Sequence, residues 1–166
     1  MISVNVLGEF RPQARCKNGK DITLEILQRA IQNTAEKYEI PVAFYPDQVK
    51  TGGFLNSTTE DCFVLYHPAH KTDYYNMVIR VKHQGTYAYI DVNLYGKSKL
   101  LGHEANKQGI KDTWRDDKSG DGKMAVSLLK GAFSAMSAVA KGGKPALEDE
   151  KRWYGMLEDV LDELDV

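Results

Sequence analysis

Two runs of alternating residues on either side of Gln84-Gly85 constrain this chain more than any other stretch. Side chains of a β-strand point to opposite faces in turn, so apolar–polar alternation marks a strand with one face in a core. Met77, Ile79 and Val81 alternate with Arg80 and Lys82 before the turn. Ala88, Ile90, Val92 and Leu94 alternate with Tyr87, Tyr89, Asp91, Asn93 and Tyr95 after it. With Gln84-Gly85 as a two-residue hairpin turn, His83 faces Thr86, Lys82 faces Tyr87, Val81 faces Ala88, Arg80 faces Tyr89 and Ile79 faces Ile90. The apolar set then shares one face and the polar set the other, and a one-residue slip would mix them. Ile79, Val81, Ile90 and Val92 are expected in the core. On the polar face, cross-strand pairs contribute about 0.2–1 kcal/mol each. Replacing Arg80 and Tyr89 together with alanine should therefore leave the fold nearly intact.

The rest of the chain reads around this hairpin. Ile2–Leu7 alternates as a half-buried strand. Gly8–Lys20 holds Pro12, Gly19 and the basic residues Arg11, Arg15, Lys17 and Lys20, and reads as a loop. Asp21 can cap a helix through Tyr38 that presents Leu24, Leu27, Ile31 and Ala35 on one face and stops before Pro41. Val42–Tyr45 is a short strand that Pro46-Asp47 turns. Gln48–Asp61 is polar, contains Gly52-Gly53, and reads as a long loop of the kind that serves as a lid or binding loop. Cys62–His67 is a strand that Pro68 stops. Gly96–Lys123 is charged, with a short helix at His103–Trp114 anchored by Trp114. Met124–Ala140 is a buried helix, interrupted by Lys130 and serines and too short for a membrane span. A last helix has Pro145 near its first turn and Trp153, Met156, Leu157, Val160, Leu161 and Leu164 as its stripe.

Strands followed by helices indicate α+β. The expected architecture is an antiparallel sheet of about four to five strands packed on helices, in the order β-α-β-β-β-β-α-α. The chain's 166 residues suit one domain spanning 1–166, and 27% charged with 42% hydrophobic residues is an ordinary globular balance. The start, Met1-Ile2-Ser3-Val4-Asn5, has no basic n-region or long apolar stretch, and two cysteines make no disulfide framework. A cytoplasmic, soluble protein with no membrane association is expected.

Motifs exclude more than they assign. His67-Pro68-Ala69-His70 with Cys62 holds ligand types for zinc, but Pro68 breaks a strand where zinc pairs ride helices or knuckles. Asp117-Lys118-Ser119-Gly120-Asp121-Gly122 begins like a calcium loop, yet position twelve is Leu128 instead of glutamate. Lys50-Thr51-Gly52-Gly53 lacks the phosphate-loop spacing. No dinucleotide fingerprint or GxSxG elbow occurs. Cys62 in an apolar strand is an inert thiol before it is a nucleophile. No cofactor and no metal are expected.

What remains is the polar sheet face. Arg80, Lys82, Tyr87, Tyr89, Asp91 and Asn93 lie side by side, and tyrosine and arginine are enriched at recognition surfaces. The preferred reading is a non-enzymatic binding or interaction module, with a protein partner or self-association as its occupant. A second reading is a small enzyme with a site between the 48–61 loop and this face, using Asp91, His83 or Arg80. A third is single-stranded nucleic-acid binding, with bases stacked on the tyrosines. Charge distribution adds one expectation. With eight acids against two bases, Ala146–Val166 is net −6, while the whole chain is −1, so residues 1–145 carry +5. Asp162 or Glu163 should therefore meet a lysine or arginine, with the Arg11–Lys20 cluster the densest source.

Overall fold

The computed structural model describes residues 1–101 and 144–164. Seven strands form one sheet: β1 (Ile2–Ser3), β2 (Gly8–Glu9), β3 (Ala14–Cys16), β4 (Ala43–Thr51), β5 (Thr58–Tyr66), β6 (Asn76–Gln84) and β7 (Tyr87–Tyr95). Two helices are described, α1 (Leu24–Lys37) and α2 (Lys144–Glu163). The class is α+β as expected, with a sheet larger than the expected four to five strands. The order runs β1-β4-β5-β6-β7-β2, with β3 also on β7; β1–β4 is parallel and the other pairs are antiparallel. The expected helices at His103–Trp114 and Met124–Ala140, and the turn at Asp117–Gly122, lie outside the described residues.

The central hairpin forms, with a corrected register. Gln84 pairs with Tyr87, so Gly85-Thr86 is the turn; Lys82 faces Tyr89, Arg80 faces Asp91 and Ile79 faces Val92. Gly85 has φ +61° and Thr86 is not in the positive-φ region, the pattern of a type II′ turn. The offset from the expected pairing is two residues along β7, and a shift of two returns every side chain to its own face. The apolar set is therefore placed as expected. Ile79, Ile90 and Val92 are buried and Val81 is half-buried.

Three regions differ from their expectations. The strand at Ile2–Leu7 is only Ile2–Ser3, followed by a 3-10 turn over Val4–Val6. The loop at Gly8–Lys20 contains β2 and β3, which pair in succession with the free edge of β7, and between them Phe10 inserts fully into the core. The largest correction is at 48–61. It is no loop: β4 and β5 pair without interruption from Ala43↔Tyr66 to Thr51↔Thr58, leaving only residues 52–57 as the tip. Pro46 turns nothing and sits within β4, a strand whose outer edge is paired only at Val49 and Lys50.

One sheet face carries the main core. Phe63, Leu65, Met77, Ile79, Ile90, Val92 and Leu94 meet Leu27, Ile31 and Ala35 of α1 and Trp153, Tyr154, Leu157 and Val160 of α2. Thr23, not Asp21, caps α1, its hydroxyl accepting from the Ile26 N–H at 3.2 Å. Burying a large apolar side chain contributes about 1.5–3 kcal/mol, so this layer dominates stability. The acidic end of α2 docks as charge complementarity requires. Arg11 Nη2 lies 2.8 Å from Asp162 and its Nη1 lies 3.7 Å from Glu158; Lys37 is 3.4 Å from Glu163, which also accepts from the Tyr38 hydroxyl at 2.6 Å. No helix among the described residues is long and apolar enough to cross a membrane.

Candidate functional site

The outer face of the sheet, opposite the helices, holds the six residues singled out by alternation. Cross-strand pairing sets Arg80 against Asp91, Lys82 against Tyr89 and Asn93 against Val78. The face is thus assembled by register, but it is not the open polar surface expected from sequence. Arg80 is only 6% exposed. Its Nη1 donates to Glu60 Oε2 at 3.0 Å and its Nη2 to Asn93 Oδ1 at 3.0 Å, while Asp91 Oδ2 lies 3.5 Å away. Lys82 Nζ sits 3.4 Å from Glu60 and 3.6 Å from Asp91, closing a ring of two cations and two carboxylates. Gln13 donates to Asp91 at 2.8 Å, and Asn93 donates to the Gly8 carbonyl at 3.3 Å. The network therefore ties β5, β6 and β7 to the segment around β2 and β3.

This burial corrects the expectation that alanine at Arg80 and Tyr89 leaves the fold nearly intact. Removing a buried cation strands carboxylates that were paired in a poorly solvated place, which costs far more than losing a solvated cross-strand pair. Arg80 is a scaffold for the face. The groups that reach solvent are the half-exposed Lys82, Tyr87, Tyr89, Asp91 and Asn93.

Aromatic rings and cations flank the network on two sides. Tyr87 and Tyr89 lie with centroids 6.5 Å apart, and the Arg15 guanidinium stands 5.0 Å over the Tyr87 ring. Farther along the face, Tyr45 and Tyr66 hold the Lys71 ammonium 5.0 and 4.9 Å from their ring centres. Between these groups runs a small apolar cluster of Ile2, Val49, Cys62, Val64 and Val78, partly covered by Val4 and Leu7. Sequence patterning does not mark Gln13, Glu60, Tyr45, Tyr66 or Lys71 for this face, and it marks Arg15 only as one of the basic cluster expected to meet the acidic end of α2. Gln13, Arg15 and Glu60 sit in segments that read as loops, and no local pattern marks Glu60 as the partner of Arg80.

Of the residues considered for an enzyme site between the 48–61 segment and this face, Arg80 and Asp91 pair on the outer face, while His83 projects to the other side of the sheet, where its Nε2 is 2.8 Å from the Ile22 carbonyl. The 48–61 lid that would have closed such a site is a paired hairpin. Burial pushes the Cys62 thiol up to about 11, which leaves it a poor nucleophile at neutral pH. His67 packs edge-on to His70 and Trp153, and burial, then the neighbouring His70, lowers its pKa. Among the described residues no group of three or more histidine, cysteine, aspartate or glutamate side chains is placed to hold a metal.

A second polar cluster lies under α2. Glu150 is fully buried and accepts from the Tyr154 hydroxyl, which in turn accepts from the Tyr75 N–H at 2.8 Å. Burial raises the Glu150 carboxyl, with the Ser98 and Tyr154 side chains pulling the other way. The helical spacing of Glu150 with Trp153, Tyr154 and Leu157 places it on the buried stripe, a signal hidden inside the charged run Glu148–Arg152.

Comparison with known proteins finds no family model, no curated protein and no solved structure that matches this chain.

Proposed function

We propose that this chain is a non-enzymatic interaction module that binds a protein segment across the outer sheet face. The observation that carries this reading is the Arg80–Glu60–Asp91–Lys82 ring, which fixes a mixed-charge patch beside two half-exposed tyrosines. Polar groups held rigid before binding lose little entropy when a partner arrives, and tyrosine contributes contact area at low entropic cost. The same ring favours a protein partner over nucleic acid. A phosphate backbone is held by unneutralised cations, whereas Arg80 and Lys82 each already face Glu60 and Asp91.

The test is selection of binding peptides from a random display library, followed by titration of isotope-labelled protein. Amide shift changes should concentrate on Lys82, Tyr87, Tyr89 and Asp91. Changes confined to the helix side would remove the basis for this reading. Parallel titration with single-stranded oligonucleotides should give no saturable shifts at physiological salt.

A further inference from the structure

The β4–β5 hairpin ends in a tip whose chemistry is out of place in water. Phe54 is 100% and Leu55 is 89% exposed, side by side. The tip is shaped to present them. Gly52 has φ +87°, and a Cβ there would lie 2.2 Å from the Asn56 carbonyl oxygen, so the loop is folded back tightly behind the two apolar residues. Isolated apolar side chains on a surface need no explanation, but an adjacent phenylalanine and leucine at the end of a projecting hairpin form a contiguous apolar tip that burial in a partner would take out of water.

The same hairpin carries an acceptor at its base. Two adjoining open grooves, of about 520 and 450 Å³, lie on the helix side between the start of α1 and strands β4 to β6. Their lining combines apolar Leu24, Pro46, Phe63 and Val81 with acidic Glu25, Asp47, Glu60 and Asp61. Behind the tip stands the exposed Lys50, the one base between Gln48 and Asp61. Tip and groove are thus complementary in both polarity and charge. They cannot meet within one chain, because β4 runs straight between them: Pro46 to Thr51 spans about 17 Å of extended strand. A two-fold axis crossing the hairpin near its middle would set each tip over the other chain's groove, making both contacts at once in a closed, self-complementary arrangement.

We infer that two copies of this chain associate through reciprocal insertion of Phe54 and Leu55 into the groove between α1 and β4–β6, with Lys50 facing Glu25 and Asp61 across the interface. This surface lies mainly on the helix side of the sheet, away from the proposed peptide-binding face, which it touches only at Glu60, and it does not rest on that reading. The small anchor makes the dimer a weak, concentration-dependent one.

Sedimentation velocity on the full chain, from about 1 to about 500 µM, tests the inference. The unsubstituted protein should pass from monomer to dimer within this range. Phe54→Asp with Leu55→Asp should remain monomeric at the highest concentration, with its melting temperature unchanged because both side chains are solvent-exposed. Glu25→Lys and Lys50→Glu should each weaken the dimer at least about tenfold, and the two together should recover most of the loss. A monomer throughout, or a dimer indifferent to the tip substitutions, would overturn the inference. Lys82→Gln with Tyr89→Ala should leave self-association unchanged; loss of the dimer in that variant, with its melting temperature retained, would move the interface to the outer face and equally overturn it.

Discussion

On the helix side of the sheet, Ile79, Val92 and Leu94 meet α1 and α2 in a predominantly apolar layer; on the outer side, Arg80 is nearly as buried but sits among Glu60, Asp91 and Asn93. The two faces come from the same two strands and the same alternation. They differ in what burial demands of them. An apolar residue needs only to be out of water, so any well-packed neighbour serves. A buried guanidinium needs particular acceptors at particular distances, so it fixes geometry as well as contributing stability. One face therefore holds the fold, and the other holds a patterned surface in place.

The sharpest contrast comes from truncating each face at its centre. Ile79→Ala opens a cavity in the fully buried layer and should cost about 2–5 kcal/mol in chemical denaturation. Arg80→Ala should cost about 2–4 kcal/mol, less than the usual upper range for breaking a buried pair because Lys82 still faces both stranded carboxylates. Arg80→Met should recover part of that stability, since it fills the volume, yet should lose the fixed geometry of Asp91 and Asn93. A loss below about 0.5 kcal/mol for Arg80→Ala would mean the outer face is solvated and mobile, and the contrast between faces would disappear.

Glu150 breaks the rule for the helix side, since it is a carboxyl inside the apolar layer. Its folded pKa is raised above the ordinary 4.5 by burial. The folded chain then keeps a proton that the unfolded chain releases, so the stabilisation is complete below 4.5 and declines as pH rises through the folded value. Glu150→Gln keeps an acceptor for the Tyr154 hydroxyl and carries no charge. It should flatten that decline and melt higher than the unsubstituted chain at neutral pH. A lower neutral-pH melting temperature would show that the ionised carboxylate is the form the core requires.

The smallest effect belongs to the partly exposed contact between Arg11 and the acidic end of α2. Arg11→Gln should cost about 0–1 kcal/mol at low salt. The difference should shrink at high salt as screening weakens the pair. An undiminished cost at high salt would assign the stabilisation to packing of the Arg11 stem.

How much of this was legible depended on whether burial left a one-sided imprint. The β6–β7 faces could be read because one side is dry along the whole hairpin. Its register lies two residues along β7 from the one alternation suggests, since parity is all that alternation encodes and Gly85-Thr86 serves as a turn as readily as Gln84-Gly85. β4 after Tyr45 and β5 before Cys62 read as turn and loop from sequence, because Pro46, Gln48, Lys50, Thr58, Thr59 and Asp61 are exposed and Thr51 and Glu60 only partly covered, which erases the alternation. β2 and β3 are two and three residues long around Pro12, too short for any periodic signal, and only their pairing with β7 makes them strands. For the site, the residue set on β6 and β7 was readable and its electrostatics were not. Glu60 reaches Arg80 through the β5–β6 pairing, a contact between segments that no local pattern records.

The proposed function requires that the outer face recognise a partner through Lys82 and Tyr89 while Arg80 supports them from below. A direct measurement is the affinity of a selected peptide, by calorimetry, for the unsubstituted chain and for Lys82→Gln with Tyr89→Ala, with thermal melts of both. Binding should weaken by at least about tenfold with a stability change under about 1 kcal/mol, because both side chains are half-exposed and neither fills the main core. Unchanged affinity, or a loss that appears only together with unfolding, would contradict it.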